Sequence, residues 1–338
     1  MVKYLLPKTT QYKANLHTHT SVSDGNSTPE EVKSFYKNNG YSIVAFTDHE
    51  VLVNHSDLND NSFLSITGCE YANTDTVDVP WKYKTTCHLN FLAKKSDNTT
   101  HVCYHPAPAA RFVGEEVANS VKYHGEIFER EHTVECVNHV IKEANSHGFL
   151  VTMNHPWWSM EGFETFSKYD GCFAVEIFNT TCSVMDGYYE LNLNIYDELL
   201  RAGKMVYPIA ADDLHHLKQD SMFQPEALGG FNMICSPSLT YTDVMTALEN
   251  GDMYASMGPQ IHELYVEEGK ITLKCSDVEA IFFRTGTRRG KYCYDAAGGV
   301  INEGVFNVQE DDKYVYACIK DKFGKWAVTR GYAIRELI

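Results

Sequence analysis

The sequence predicts an α/β protein in which strand–helix units close into a barrel, followed by a small all-β, sandwich-like domain. Three observations carry this expectation. Short apolar runs alternate with helical patterns as far as about residue 260, the signature of strands packed under helices. The polar residues fall mostly where those apolar runs end, which is where α/β barrels place their chemistry. Past residue 260 the helical pattern stops and hairpin signals replace it. We expect a first domain over residues 1–259 and a second over 260–338, consistent with a chain of 338 residues being longer than one typical core.

The elements follow in order. A strand leads to Asn15 and delivers His17 and His19. Thr28 is an N-cap, Pro29 fits the first helical position and Glu31 closes a capping box. The resulting helix runs to about Asn39 and stops at Gly40. A buried strand over 42–46 ends in Thr47-Asp48-His49. Another over 63–68 leads to Glu70, and one over 87–93 carries His88 near its start, so the direction of His88 is less certain. Residues 96–130 are rich in His, Pro and Ala and read as an irregular insertion or lid. A helix over 133–147 precedes a strand over 149–153 that ends in Asn154-His155-Pro156. A strand over 174–178, a helix over 186–202 and a strand over 205–210 ending in Ala211-Asp212-Asp213-Leu214-His215-His216 continue the alternation. A strand over 229–234 and a helix over 240–250 complete it. In the tail, Leu264 to Lys274 and Tyr314 to Thr329 read as hairpins, with no convincing helix. Its densest basic cluster, Arg284, Arg288 and Arg289, reads as a solvated hairpin tip, with a phosphate-reaching loop as the alternative.

Composition narrows the function. The formal net charge is −16, and sequence-independent binding to long nucleic acid needs a basic surface. A small anionic substrate stays open, because bound cations supply positive charge locally. No run of ~18 apolar residues marks a membrane span. The apolar run at the start is short for a signal peptide, so a cytoplasmic protein is expected. The ten cysteines contain no CxxC and read as ordinary thiols.

The chemistry lies in a metal pattern. His17 and His19 project from one face of a strand end. With Asp24, His49, Glu70, His88, His155, Asp213 and His215 they make nine candidate ligands. Imidazole with carboxylate suits Zn, Fe or Mn rather than Ca. Nine are too many for one ion and suit two or three ions sharing a carboxylate, a device for hydrolysing phosphate esters. Asp212 is read as an acceptor that orients an imidazole. Trp157 and Trp158, directly after Asn154-His155-Pro156, are candidate pocket walls, and His105 is a further candidate substrate contact. His55, His101, His124, His132, His139, His147, His216 and His262 are read as surface or satisfied buried residues, with His216, beside a ligand, the nearest to an exception. No GxSxG elbow and no P-loop is present, so neither a serine nucleophile nor a phosphate-cradling loop is implied.

The order of these stretches resembles the polymerase and histidinol phosphatase (PHP) superfamily. The matching residues are Leu16-His17-Thr18-His19-Thr20, Ser23-Asp24-Gly25, Pro29-Glu30-Glu31, Thr47-Asp48-His49, Gly68-Cys69-Glu70, Asn154-His155-Pro156 and Ala211-Asp212-Asp213-Leu214-His215. The resemblance covers roughly residues 12 to 260. Tyr254-Ala255-Ser256-Met257-Gly258-Pro259 and the all-β tail look like a branch of stand-alone bacterial members that includes carbaryl-hydrolase-like enzymes. The resemblance implies a distorted (β/α)7, TIM-like barrel holding two or three divalent ions. His17, His19, Glu70 and Asp213 would hold the first ion. Glu70 would bridge to the second, completed by His88 and His155, and Asp24, His49 and His215 would hold the third. A hydroxide bridging two ions would attack phosphorus in line, with catalysis depending on Asp213, His155 and Glu70. The expected enzyme is a phosphoesterase acting on a small phosphomonoester, nucleotides included. A carboxylic ester or carbamate hydrolase, a nuclease for short oligonucleotides and a non-catalytic metal-binding module are the alternatives.

Overall fold

A computed structural model of the protein describes residues 2–75, 77–187, 191–217 and 226–338. The chain opens with β1 (Lys3–Tyr4) and β2 (Thr10–Asn15). Helix α1 (Pro29–Asn38) starts at the expected capping box, where Thr28 Oγ1 accepts from Glu31 N at 3.3 Å and Thr28 N donates to Glu31 Oε2 at 3.0 Å. The strands β3 (Ile43–Phe46), β4 (Leu64–Thr74) and β5 (Thr86–Ala93) follow. The stretch expected to be irregular contains two helices, α2 (Pro106–Val113) and α3 (Glu115–Ser120). Pro106 sits at the start of α2 and the His105 ring accepts from Ala107 N at 3.1 Å, so an imidazole does the capping that Ser or Asp usually does.

Next come α4 (Val134–Ser146), β6 (Phe149–Met153), α5 (Phe163–Phe166), β7 (Ala174–Asn179) and α6 (Thr180–Val184). Of the helix expected over 186–202, α7 (Leu193–Arg201) is helical, while residues 188–190 lie outside the described residues. The strands β8 (Tyr207–Ala211) and β9 (Phe231–Ser236), helix α8 (Tyr241–Asn250) and β10 (Met253–Ser256) lead into the tail. The tail consists of β11 (Ile261–Glu267), β12 (Lys270–Val278), β13 (Ala280–Thr285), β14 (Gly290–Tyr294), β15 (Ile301–Asn307), β16 (Tyr314–Lys320), β17 (Trp326–Thr329) and β18 (Tyr332–Ala333). A final turn of helix, α9 (Ile334–Leu337), follows.

The architecture departs from a parallel barrel in two ways. First, β4–β5 and β5–β6 pair antiparallel, whereas β2–β3–β4 and β6–β7–β8 pair parallel. Among the described residues no α-helix lies between β4 and β5, and the chain reverses instead of crossing over. Second, the hydrogen-bonded order β14-β13-β16-β17-β10-β9-β2-β3-β4-β5-β6-β7-β8 has two ends, and the strands form no closed barrel. β8 meets β2 only beyond their ends, at the bridge between Thr18 and Leu214. There His19 N donates to Leu214 O at 2.8 Å and Asp213 N to His17 O at 3.0 Å. Asp213 has φ 56°, a left-handed conformation that turns the chain out of the strand and stops the ladder.

The tail joins this sheet through β10–β17. A second sheet, β1-β11-β12-β15, packs on it. Leu273 and Phe306 from that sheet share a core with Phe283 and Ile319 from the larger one. Arg289 donates through Nε and Nη2 to both carboxylate oxygens of Asp312 at 2.8 Å. That pairing explains the basic hairpin as a structural tie. Among the described residues, no helix is long and apolar enough to cross a membrane.

Candidate metal centre

The reversal at β5 settles the direction of His88. Because β5 runs opposite to β4, its start lies beside the end of β4, and Ala72 pairs with His88. The ends of β2, β3, β6 and β8, the exit half of β4 and the beginning of β5 therefore converge. All nine candidate ligands meet there, in overlapping groups whose donor atoms lie within 4.8 Å of one another: His19, Asp24, His49 and His215; His17, His19, Glu70 and Asp213; and Glu70, His88 and His155.

The backbone around them is held tightly. Asn15 Nδ2 donates to Tyr36 Oη at 2.8 Å, and Asn15 Oδ1 accepts from Asp212 N at 3.1 Å. Thr20 N and Ser23 Oγ donate to Asp48 Oδ1 at 2.7 and 2.9 Å, folding the 20–24 loop back so that Asp24 faces His49. Gly25 is required by that fold: a Cβ there would lie 2.7 Å from Thr20 N and 2.8 Å from the His19 carbonyl. His155, with φ 24°, is a second ligand in a strained region, as is common where function over-determines the backbone.

The donor set fits a metal. His17 Nε2 and His19 Nε2 both lie 3.1 Å from Asp213 Oδ1 and 3.2 Å from each other. Glu70 Oε1 is 3.3 Å from His17 Nε2, 3.1 Å from His88 Nδ1 and 3.3 Å from His155 Nε2. Glu70 Oε2 is 3.4 Å from His19 Nε2 and 3.3 Å from His49 Nδ1. Donors on one tetrahedral ion with bonds of about 2.0–2.1 Å stand about 3.3–3.4 Å apart. Among the described residues, the buried atoms His19 Nδ1, His49 Nδ1, His88 Nε2 and Asp213 Oδ1 make no well-aligned hydrogen bond despite these short approaches, which is costly unless something else satisfies them.

Electrostatics point the same way. Burial alone would raise the carboxyl pKa of Glu70 and Asp213, yet the surrounding imidazoles hold both well below the carboxylate range. Burial would lower His19, but Asp213 and Glu70 outweigh it and raise it to about 10. His49 goes the other way, pushed down to about 3 by burial and by the charge on His19. The carboxylates and imidazoles thus shift one another strongly, and divalent ions bound there would compete with protons for the imidazole nitrogens.

Three residues support the cluster in ways the sequence reading did not assign: Glu176, which it passed over, and Asn154 and Asn179, which it placed at strand ends without a role. Glu176, on β7, accepts from His17 Nδ1 at 2.7 Å through Oε1 and from His155 N at 3.1 Å through Oε2. It fixes His17 with Nε2 toward the cluster. Its signal was a lone carboxylate inside the apolar run Ala174-Val175-Glu176-Ile177-Phe178. Asn154 Nδ2 donates to Glu70 Oε1 at 2.8 Å, and Asn179 Nδ2 to Asp213 Oδ2 at 3.1 Å. Asp212 does not orient an imidazole, contrary to expectation. Its carboxylate accepts from Tyr36 Oη at 2.8 Å, Thr180 Oγ1 at 2.6 Å and the amides of Leu228, Gly229 and Gly230. Two acidic residues in sequence leave the strand end in opposite directions, and only Asp213 turns inward.

The cluster floors a cavity of about 740 Å³. Trp158 lines it, with its ring 5.0 Å from that of His155 and Nε1 donating to Asp186 Oδ2 at 2.9 Å. His105 lines it too, whereas Trp157 is not among the lining residues. Phe112, on α2, stacks on His49 at 4.1 Å. Arg130 brackets two ligand-bearing segments: it donates to both oxygens of Glu50 at 2.6 and 2.8 Å and to Ala72 O at 2.8 Å. His216 pairs with Glu226 at 2.9 Å, outside the lining of this cavity.

No protein-family model and no curated protein matches the chain. Several solved structures are similar to it, among them the following three. A two-domain protein of Bacteroides vulgatus, described as containing a predicted PHP-like metal-dependent phosphoesterase, is 12% identical with a TM-score of 0.47, and 98% of each chain is covered. A protein of Bifidobacterium adolescentis, assigned by its description to the metal-dependent phosphoesterases, is 15% identical with a TM-score of 0.40 over 64% of this chain and 91% of that one. An amidohydrolase of Chromobacterium violaceum, with bound sulfate and no metal, is 15% identical with a TM-score of 0.38 over 63% of this chain and 93% of that one. At TM-scores below 0.5 these likenesses carry no argument about the reaction.

Proposed function

We propose that this protein is a metal-dependent phosphoesterase that hydrolyses a small phosphomonoester, nucleotides included, in the manner implied by its PHP-like motifs. The observation that carries the reading is the convergence of overlapping His/carboxylate groups, linked through the shared residues His17, His19, Glu70 and His155, at the floor of one cavity. His17, His19, Glu70 and Asp213 would hold one divalent ion, Glu70, His88 and His155 a second, and Asp24, His49 and His215 a third, drawn from Zn, Fe or Mn. When bound, such ions supply Lewis acidity toward phosphoryl oxygens and make water more acidic.

The chain's own residues do the rest. Glu176 keeps the proton of His17 on Nδ1, which leaves Nε2 free to donate its lone pair. Asn154 and Asn179 restrain the carboxylates that would otherwise repel one another. Phe112 and Trp158 flank the cluster and present ring faces to the cavity beside it. The aromatic walls also favour a second reading, a carboxylic ester or carbamate hydrolase acting on an aryl leaving group.

The test is a hydrolysis panel on protein stripped of metal and reloaded separately with Zn, Mn or Fe. It contains nucleoside monophosphates, sugar phosphates, an aryl phosphate, and aryl carboxylic and carbamate esters. Phosphomonoester turnover that vanishes in Asp213→Ala supports the first reading. Turnover of carbonyl esters alone replaces it with the second.

A further inference from the structure

The cavity is far larger than one phosphoryl group. At about 740 Å³ it falls in the range of pockets that enclose whole drug-sized ligands, so most of a substrate would lie beyond the metal floor. The charged groups on its upper wall are unequally engaged. Glu50 is paired with Arg130, Asp75 Oδ1 accepts from Val77 N at 3.0 Å, Glu129 lies 3.4 Å from His105 Nε2, and Asp186 accepts from Trp158. Each lining carboxylate of this wall therefore has a protein partner. The lining cations Lys84 and Arg111 do not: among the described residues, neither side chain makes a hydrogen bond or ion pair. They come from separate segments, the loop between β4 and β5 and helix α2. Phe112, next to Arg111 on α2, is stacked on His49, and Trp158 lies beside His88 and His155; both aromatic side chains line the same cavity as Lys84 and Arg111.

We propose that Lys84 and Arg111 form a distal anion subsite, so that the substrate carries a second anionic group, phosphate or carboxylate, joined through a planar ring to the phosphoryl group held at the floor. The assignment rests on the phosphoesterase reading for the floor, and it adds the class of molecule. A guanidinium and an ammonium on one wall suit such an oxyanion. The aromatic side chains lining the same cavity suit a ring.

The test is equilibrium binding to the metal-loaded protein, followed by the fluorescence of the cavity-lining Trp81 and Trp158. The probes are phenylphosphonate and 4-carboxyphenylphosphonate, neither of which has an ester to cleave. We expect the carboxylated probe to bind about tenfold more tightly, equivalent to about 1.4 kcal/mol, and the ratio to fall to about one in the double variant Lys84→Gln/Arg111→Gln. A ratio near one in the unmodified protein, or a preference that survives in the double variant, overturns the subsite. Because no turnover is involved, a protein that prefers the carboxylated probe yet hydrolyses no phosphomonoester would retain the subsite and lose the proposed reaction. Absence of binding by either phosphonate overturns both.

Discussion

The floor and the wall of the cavity are built by different means. Most floor side chains come from strand ends and are deeply buried, with His17 0% and Glu70 2% exposed, whereas Asp24, from the 20–24 loop, is 36% exposed. They are cross-tied by Asn15, Asp48, Asn154 and Glu176. The upper wall comes from the loop between β4 and β5 and from the 96–130 insertion, and it includes Trp81, which is 54% exposed. A floor over-determined by hydrogen bonds fixes a reaction, whereas a wall on insertions can vary without disturbing it. The two should therefore respond differently to substitution, in size and in kind.

The largest effect belongs to the floor. Asp213→Ala should remove phosphomonoester turnover altogether and lower the metal content of the purified protein, while far-UV circular dichroism stays unchanged. Retained turnover would break the distinction at once. Next in size is Arg130→Leu, at the join between floor and wall. It leaves Glu50 buried without its partner, which should cost about 3–5 kcal/mol in stability. Burial would raise the Glu50 pKa, but Arg130 outweighs it and holds it below the ordinary 4.5. The pair thus contributes stability above that value, which is lost as pH falls through the depressed pKa. The melting-temperature gap between the two proteins should be widest near pH 7 and shrink as pH falls, beginning above pH 4.5, where burial without its partner makes Glu50 in the variant take up a proton. A gap independent of pH would show that Arg130 acts by packing on Tyr71, over whose ring it lies at 3.9 Å, rather than by charge.

A smaller effect is expected one step behind the ligands. Glu176→Gln should keep the shape of β7 but weaken its hold on His17. We expect metal affinity to fall by about 10–100-fold, measured by competition with a chelator. An unchanged affinity would mean that the floor tolerates an unoriented His17.

How much of this was legible follows the same division. The candidate floor residues sit in short contiguous motifs, mostly at strand ends, so His17, His19, Asp24, His49, Glu70, His155, Asp213 and His215 could be picked out as candidate ligands from local sequence, and the structure brings them together. His88 could be listed but not oriented, because its direction depends on β5 running antiparallel. That reversal had a local cause, the lack of a helical pattern between β4 and β5. Glu176 was hidden by its surroundings: it looks like part of a buried strand until one asks what a carboxylate there is bonded to. The open sheet was not legible, because pairing between β10 and β17 joins residues some seventy positions apart and no local pattern encodes that register. In the wall, α2 was missed because its cap is a histidine, outside the usual capping residues.

The smallest effect should come from the wall itself. Phe112 touches the floor only through its ring, stacked on His49 with an interplanar angle of 28°. Replacing it by leucine keeps an apolar side chain on α2 and removes the flat face. Aromatic pairs of this kind contribute about 0.5–1.5 kcal/mol beyond their area, so Phe112→Leu should raise KM for an aryl phosphate by about two- to tenfold. Metal content should not change, and kcat should stay within about a factor of two, since uniform binding rather than transition-state contact is lost. If kcat falls as steeply as kcat/KM, Phe112 acts on the position of His49 and belongs with the floor. The boundary between what performs the reaction and what selects the molecule would then run through α2 rather than along its edge.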